Sequence, residues 1–268
     1  MVEFDTPLAR LFSRTKSEKR AALIGYLPAG FPTLEGAPRV IAAMVEGGVD
    51  AIEIGFPYSD PVMDGPIIQD AADQAIKNGT GASDVFDLVK STAALGVPTV
   101  VMTYWNPIER YGVDEFGSAL MAAGGSGVIT PDLTIEESAR WAQASVKSQF
   151  NRIYVIAPST SESRMPLVTS QCSGFIYAAS LMGVTGTRNS VSGDARSLVA
   201  RIRSGSDLPV AVGLGVSTGD QAREVAQYAD GVIVGSAFIR LIQQSATIEE
   251  GCERVRELAA SLSAGVRG

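Results

Sequence analysis

The stretch from Ala51 to Pro66, AIEIGFPYSDPVMDGP, sets a carboxylate, Glu53, inside an apolar run and follows it with two more, Asp60 and Asp64, in a Pro-containing loop. Taking a carboxylate out of water costs on the order of several kcal/mol unless it is paired. Glu53 is therefore either matched to a structural partner or kept for proton transfer. The flanking strands carry no Arg or Lys at a matching level, which weakens the first reading without removing it. Asp64 precedes Gly65-Pro66 and the apolar positions Ile67, Ile68, Ala71, Ala72 and Ala75, so its plainest role is N-cap of a helix, an effect of about 1 kcal/mol. Asp60, beside Pro61, is equally readable as a turn residue.

The chain has no histidine. That removes the commonest general base, the commonest metal ligand and every Ser-His or Cys-His nucleophile system. The five lysines, Lys16, Lys19, Lys77, Lys90 and Lys147, fall in expected helices or their flanks, so none is poised for a Schiff base. What remains is proton transfer by carboxylates, with a tyrosine in support.

Glycines form a second constellation. GVTGT from Gly183, GLG from Gly213 and GS from Gly235 each follow a late strand. Backbone N–H groups exposed at glycines and helix N-termini bind phosphate without a formal positive charge, and in phosphate-binding barrels the loops after strands seven and eight supply them. The bland alternative is simple turns. GLGVSTG also reads as a loose dinucleotide fingerprint, but too little chain follows it to complete a nucleotide-binding sheet.

To place these residues the chain must supply strands. Eight Val/Ile-rich runs alternate with helical patterns: AALIGYL from Ala21, DAIEIG from Asp50, PTVVMTY from Pro98, GVIT from Gly127, RIYVIAP from Arg152, GFIYAAS from Gly174, PVAVGL from Pro209 and GVIVGS from Gly231. Repeated βα units predict a parallel sheet, and eight of them close most simply into a (β/α)8 TIM barrel, with an open doubly wound sheet as the alternative. An extra N-terminal helix is expected from Thr6-Pro7, with Leu8, Leu11 and Phe12 as its apolar face. Capping boxes are expected at Thr134 with Glu137 and at Thr247 with Glu250, and helix stops at Gly47, Gly79, Gly96 and Gly205. No linker divides residues 1–268, so a single domain is expected. In such a barrel the Ile52, Glu53, Ile54 alternation points Glu53 at the axis. The strand-end rule then selects Tyr26, Met102 to Tyr104, Asp132, Ser159, Tyr177, Gly213 and Gly235 beside the acids.

The 268 residues, 46% hydrophobic and 19% charged, fit a globular protein, and a net charge of −7 argues against nucleic acid or an anionic membrane as partner. Cys172 and Cys252 lie far apart without ligand-like spacing and read as buried packing residues. The first twenty residues lack a continuous apolar segment, and the cytoplasm is the expected compartment.

EIGFPYSDPVMDGP, together with GVTGTR, the late glycine pairs, VMTYWNP, TPDLTIEES and VIVGSA, resembles the alpha subunit of tryptophan synthase across nearly the whole chain. The resemblance implies a (β/α)8 barrel that cleaves indole-3-glycerol phosphate to indole and glyceraldehyde 3-phosphate without a cofactor of its own. Its partner is a beta subunit that uses pyridoxal phosphate. It implies Glu53 as the acid for indole C3, Asp64 as acceptor of the indole N–H, and Tyr177 as a further site tyrosine. Tyr26, Ile68 and Met102 would form the indole slot, and Thr185 would close over Asp64 as part of a mobile lid, GVTGTRNSVSG. Gly186, Gly215, Gly235 and Ser236 would hold the phosphate. FPYSDP, YWNPIERYG and TPDLTIEES would face the beta subunit. Leu214 and the segment Ser159–Ser163 depart from the family pattern. The rival readings are a barrel that mainly activates its partner, or another phosphate-binding barrel enzyme.

Overall fold

The computed structural model describes residues 4–179 and 188–268, the side chains of 188–194 excepted. Its strands are β1 (Ala22–Pro28), β2 (Ala51–Gly55), β3 (Thr99–Met102), β4 (Gly127–Ile129), β5 (Asn151–Ile153), β6 (Val155–Ile156), β7 (Ile176–Ala179), β8 (Val210–Gly213) and β9 (Gly231–Val234). They form one parallel sheet in the order β5-β4-β3-β2-β1-β9-β8-β7-β6. The two ends of that order, β5 and β6, are separated in the chain by Tyr154 alone. They are two halves of one strand, so the sheet closes on itself as a barrel of eight staves.

The expected fifth strand is thus split. Its first half pairs with β4, Val128 opposite Arg152, and its second half with β7, Val155 opposite Tyr177. At the break the Ile153 carbonyl accepts from the Thr130 N–H on one side, and the Tyr154 carbonyl accepts from the Tyr177 N–H on the other, each at 3.2 Å. The stave changes partner at Tyr154, and that change is what closes the ring.

Alternate residues of the strands fill the barrel. Ala22, Ile24, Ala51, Val100, Ile129, Ile153, Phe175, Ala211 and Ile233 form one buried cluster, and the same cluster contains Leu8, Leu11 and Phe12. Those three belong to the helix Pro7–Ser17, which starts as expected: Pro7 opens it and the Thr6 hydroxyl accepts from the Ala9 N–H at 3.2 Å. The N-terminal helix therefore plugs the amino end of the barrel. At that end Asp50 is buried and fully partnered, accepting from Arg20 at 2.8 and 2.9 Å, from the Leu23 N–H at 2.9 Å and from Arg267 at 3.3 Å. This cluster ties the starts of β1 and β2 to the last turn of the C-terminal helix Ile248–Val266.

The outer layer departs from a simple eight. Twelve helices occur among the described residues, two of them between β2 and β3 (Pro66–Lys77 and Ala82–Ala93) and two between β3 and β4 (Trp105–Tyr111 and Val113–Ala122). The Thr247 cap is present, its hydroxyl accepting from the Glu250 N–H at 3.2 Å. The expected box of Thr134 with Glu137 is not: residues 135–137 form a turn, the helix starts at Ala139, and the neighbouring Glu136 pairs with Arg164 at 2.8 and 2.7 Å. Gly79 and Gly96 adopt the left-handed conformation that ends a helix, at φ +82° and +80°. The helix Gly36–Glu46 stops at Gly47 as its C-cap, with the left-handed conformation one residue on at Gly48, and the helix Arg188–Arg203 ends just before Gly205, which does not adopt that conformation. Cys172 and Cys252 are free and buried.

Candidate active site

Glu53 lies in the middle of β2 with 1% of its surface exposed. It has the same strand parity as Ala51, which faces the barrel interior, so the expected direction toward the axis holds. Both of its carboxylate oxygens are buried without a hydrogen-bond partner. Burial, helped by the neighbouring charge of Asp64, pushes its pKa up to about 8. A carboxyl group in this position carries a proton at neutral pH and can release it within the working range, the condition for a general acid that must also serve as a base.

Asp64 does not cap the following helix. Gly65 occupies the N-cap position with no side-chain hydrogen bond, and Pro66 follows as the first helical residue. The Asp64 carboxylate turns to the Tyr104 hydroxyl, which donates to its Oδ2 at 3.3 Å, while Gln69 Nε2 donates to its carbonyl at 2.7 Å. Burial raises the Asp64 pKa above the ordinary carboxylate range, and the Tyr104 hydrogen bond opposes that rise. Asp60 stays on the surface, accepting from Ser59 Oγ at 2.6 Å.

Tyrosines close the remaining sides. Tyr26 on β1 is the register partner of Glu53. Its pKa is driven far up by burial, then by the charges of Asp64 and Glu53, and that of Tyr177 on β7 is driven up by burial, then by Glu53 and Asp64. Three close approaches around these rings require glycine, one of them Gly55, where a Cβ would collide with the Tyr26 hydroxyl. A Cβ on Gly213 would sit 2.5 Å from the Tyr177 hydroxyl, and one on Gly235 would sit 2.9 Å from Tyr26 Cδ1. Tyr26 thereby joins the acid to the glycine rim, because one ring lies against Gly235 and beside Glu53.

On that rim, Gly215 follows β8 in the left-handed conformation at φ +77°, and Gly235 is the N-cap of the helix Ser236–Gln243, whose first residue is Ser236. The first N–H groups of a helix have no intrahelical acceptor and carry the positive end of its dipole, which suits an anion. Met102 at the end of β3 is half-buried between the barrel interior and the outer core, and Ile68 packs against the outer core from the helix Pro66–Lys77. Thr185 and Gly186 lie outside the described residues, as does the first part of the expected lid; the backbone from Arg188 is helical.

Two further tyrosines stand beside the site, one selected by the strand-end rule, Tyr104, and one from FPYSDP, Tyr58. Tyr104 bonds Asp64, and Tyr58 stacks on Tyr104 with centroids 5.1 Å apart and 30° between planes. Asp132, another strand-end residue, spends its carboxylate on the Trp105 N–H at 3.0 and 3.1 Å and so caps the helix Trp105–Tyr111. Among the described residues no group of three or more His, Cys, Asp or Glu side chains is placed to hold a metal ion.

Acids and tyrosines gathered over the carboxyl ends of eight closed parallel staves place the chain among the (β/α)8-barrel enzymes. A family model described as tryptophan synthase alpha chain matches residues 12–267. The chain is 53% identical over 265 residues to the tryptophan synthase alpha chain of Thermobifida fusca, covering 98% of each, and 52% identical to that of Streptomyces avermitilis, covering 97% of this chain and 95% of the relative. A solved tryptophan synthase structure from Mycobacterium tuberculosis superposes with a TM-score of 0.90 at 46% identity, over 98% of this chain and 99% of that one. The chain belongs to the tryptophan synthase alpha chain family. It is a carbon–carbon lyase that cleaves indole-3-glycerol phosphate in tryptophan biosynthesis and works with a beta subunit.

Proposed function

We propose that Glu53 moves both protons of the cleavage. As an acid it protonates indole C3. As the resulting carboxylate it takes the proton from the side-chain hydroxyl, whose oxygen becomes the aldehyde of glyceraldehyde 3-phosphate as the carbon–carbon bond breaks. The electrons of that bond return to the ring, leaving indole, and Glu53 ends protonated as it began. Asp64 accepts the indole N–H and stabilises the positive charge that C3 protonation places on the ring. Tyr177 and Tyr26 bound the reacting centre, and with Ile68 and Met102 they form the indole slot. Gly215, Gly235 and Ser236, with Gly186, hold the phosphate through backbone N–H groups and one hydroxyl, and Thr185 closes near Asp64.

In this reading one barrel, residues 1–268, carries the phosphate site and the chemistry and uses no cofactor of its own. Pyridoxal phosphate serves the partner beta subunit. The exposed side chains of Val62, Met63 and Tyr111, with the rest of FPYSDP, YWNPIERYG and TPDLTIEES, face that partner. The chain works in the cytoplasm, where its two free thiols stay reduced.

The observation that carries the reading is a buried, partnerless carboxyl group on the barrel axis, poised near neutral pH. Glu53→Gln keeps the shape and removes the proton transfer. Turnover of indole-3-glycerol phosphate is expected to fall by about 10³-fold or more, in line with losses of general acid–base catalysis, with the fold intact by circular dichroism. Indole release near the wild-type rate would refute the assignment.

A further inference from the structure

The loop carrying Asp64 runs from Phe56 to Gly65, between β2 and the helix Pro66–Lys77. One side chain from outside the loop grips both of its ends. The Tyr104 ring stacks on Tyr58 near the start, and its hydroxyl accepts from the Met63 N–H at 3.0 Å and donates to Asp64 at the finish. Tyr104 is itself well anchored. It is buried two residues after β3, at the N-cap of the helix Trp105–Tyr111, and the next residue, Trp105, donates its N–H to the Asp132 carboxylate. Among the described residues its hydroxyl is the one donor to the Asp64 carboxylate, and it is aimed by a planar ring with few torsions to relax.

We propose that Tyr104 is a positioning residue for the reaction: its hydroxyl orients the Asp64 carboxylate toward the indole N–H and keeps it ionised. The proposal rests on the reading of Asp64 as the acceptor of that proton. Glu53 on β2, Tyr26 on β1 and Tyr177 on β7 also face Asp64. Glu53 is anionic when it ionises and opposes a second charge nearby, and the tyrosines stay neutral, so the Tyr104 hydrogen bond is the contact that favours the Asp64 anion. Burial holds the Tyr104 proton firmly, pushing that phenol up to about 12, so the hydroxyl remains a donor across the working range.

The test is Tyr104→Phe, which keeps the ring and its stack on Tyr58, in the complex with the beta subunit. A charge-assisted hydrogen bond implies a drop in kcat of about 10- to 100-fold. KM is expected to stay within about twofold, because the indole slot is unchanged. The acidic limb of the kcat profile should move to higher pH, since Asp64 without its donor binds a proton more readily. In an Asp64→Asn background the same substitution should change kcat by less than about twofold, because the two residues act as one unit. Wild-type kcat with an unmoved acidic limb, or a full further loss on top of Asp64→Asn, would overturn the proposal. Full turnover by Asp64→Asn alone would instead overturn the role of Asp64, and Tyr104 would fall with it.

Discussion

Asp50 and Glu53 lie three residues apart, one just before β2 and one in its middle, both almost fully buried, and their surroundings are opposite. Asp50, at the amino end of β2, has Arg20 across it, a backbone N–H and the Arg267 guanidinium. Glu53, nearer the carboxyl end, has no hydrogen-bond partner for either oxygen. One acid is spent on holding the barrel together, with its charge neutralised by cations from β1's approach and the chain's last helix. The other is left unmatched, and burial then stores the free energy as a raised pKa. A barrel separates these duties by end: stability at the amino face, chemistry at the carboxyl face.

The largest effects should come from exchanging the damage between the two acids. Asp50→Ala takes the carboxylate from Arg20, Arg267 and the Leu23 N–H at once, leaving Arg20 with Glu18 and the Ala21 carbonyl, and loss of such a partly buried pair costs about 3 kcal/mol. Urea unfolding should show that loss, while turnover per folded molecule stays near the wild-type value. Glu53→Gln should do the reverse, losing turnover without losing stability. If Asp50→Ala left the midpoint untouched, the division of labour between the ends would be wrong.

A smaller effect sharpens the same contrast within the carboxyl face. Asp64→Asn should lower kcat by about 100-fold, the scale of one electrostatic contact made in the transition state, and shift stability by less than about 1 kcal/mol. The cap it was expected to supply is absent, since Gly65 stands at that position. Parallel losses of stability and activity would return Asp64 to a structural role.

Much of this was readable in the sequence because it depends on neighbours in the chain. The strand runs follow from local apolar patterning, and the Ile52, Glu53, Ile54 alternation was enough to point Glu53 inward. The Thr6-Pro7 start needed only the helix it opens. What could not be read depends on distant partners. The split at Tyr154 exists because β5 and β6 pair with different staves, a consequence of closure. The helix expected to open at Thr134 begins only at Ala139, after a turn that holds Glu136 against Arg164, 28 residues apart. Asp64 turns from its own helix to Tyr104, 40 residues on, and the strand-end position of Tyr104 was the signal available for it. The expected placements of Thr185 and Gly186 fall outside the described residues.

The most direct measurement is a titration of Glu53 itself. With ¹³C-labelled glutamate side chains, the carboxyl resonance present in the wild type and missing in Glu53→Gln should keep its protonated shift through neutral pH and titrate with a midpoint near 8. A midpoint near the ordinary glutamate value of about 4.3 would mean that the carboxylate is partnered or solvated after all, and that the acid at the centre of the barrel is not the proton donor.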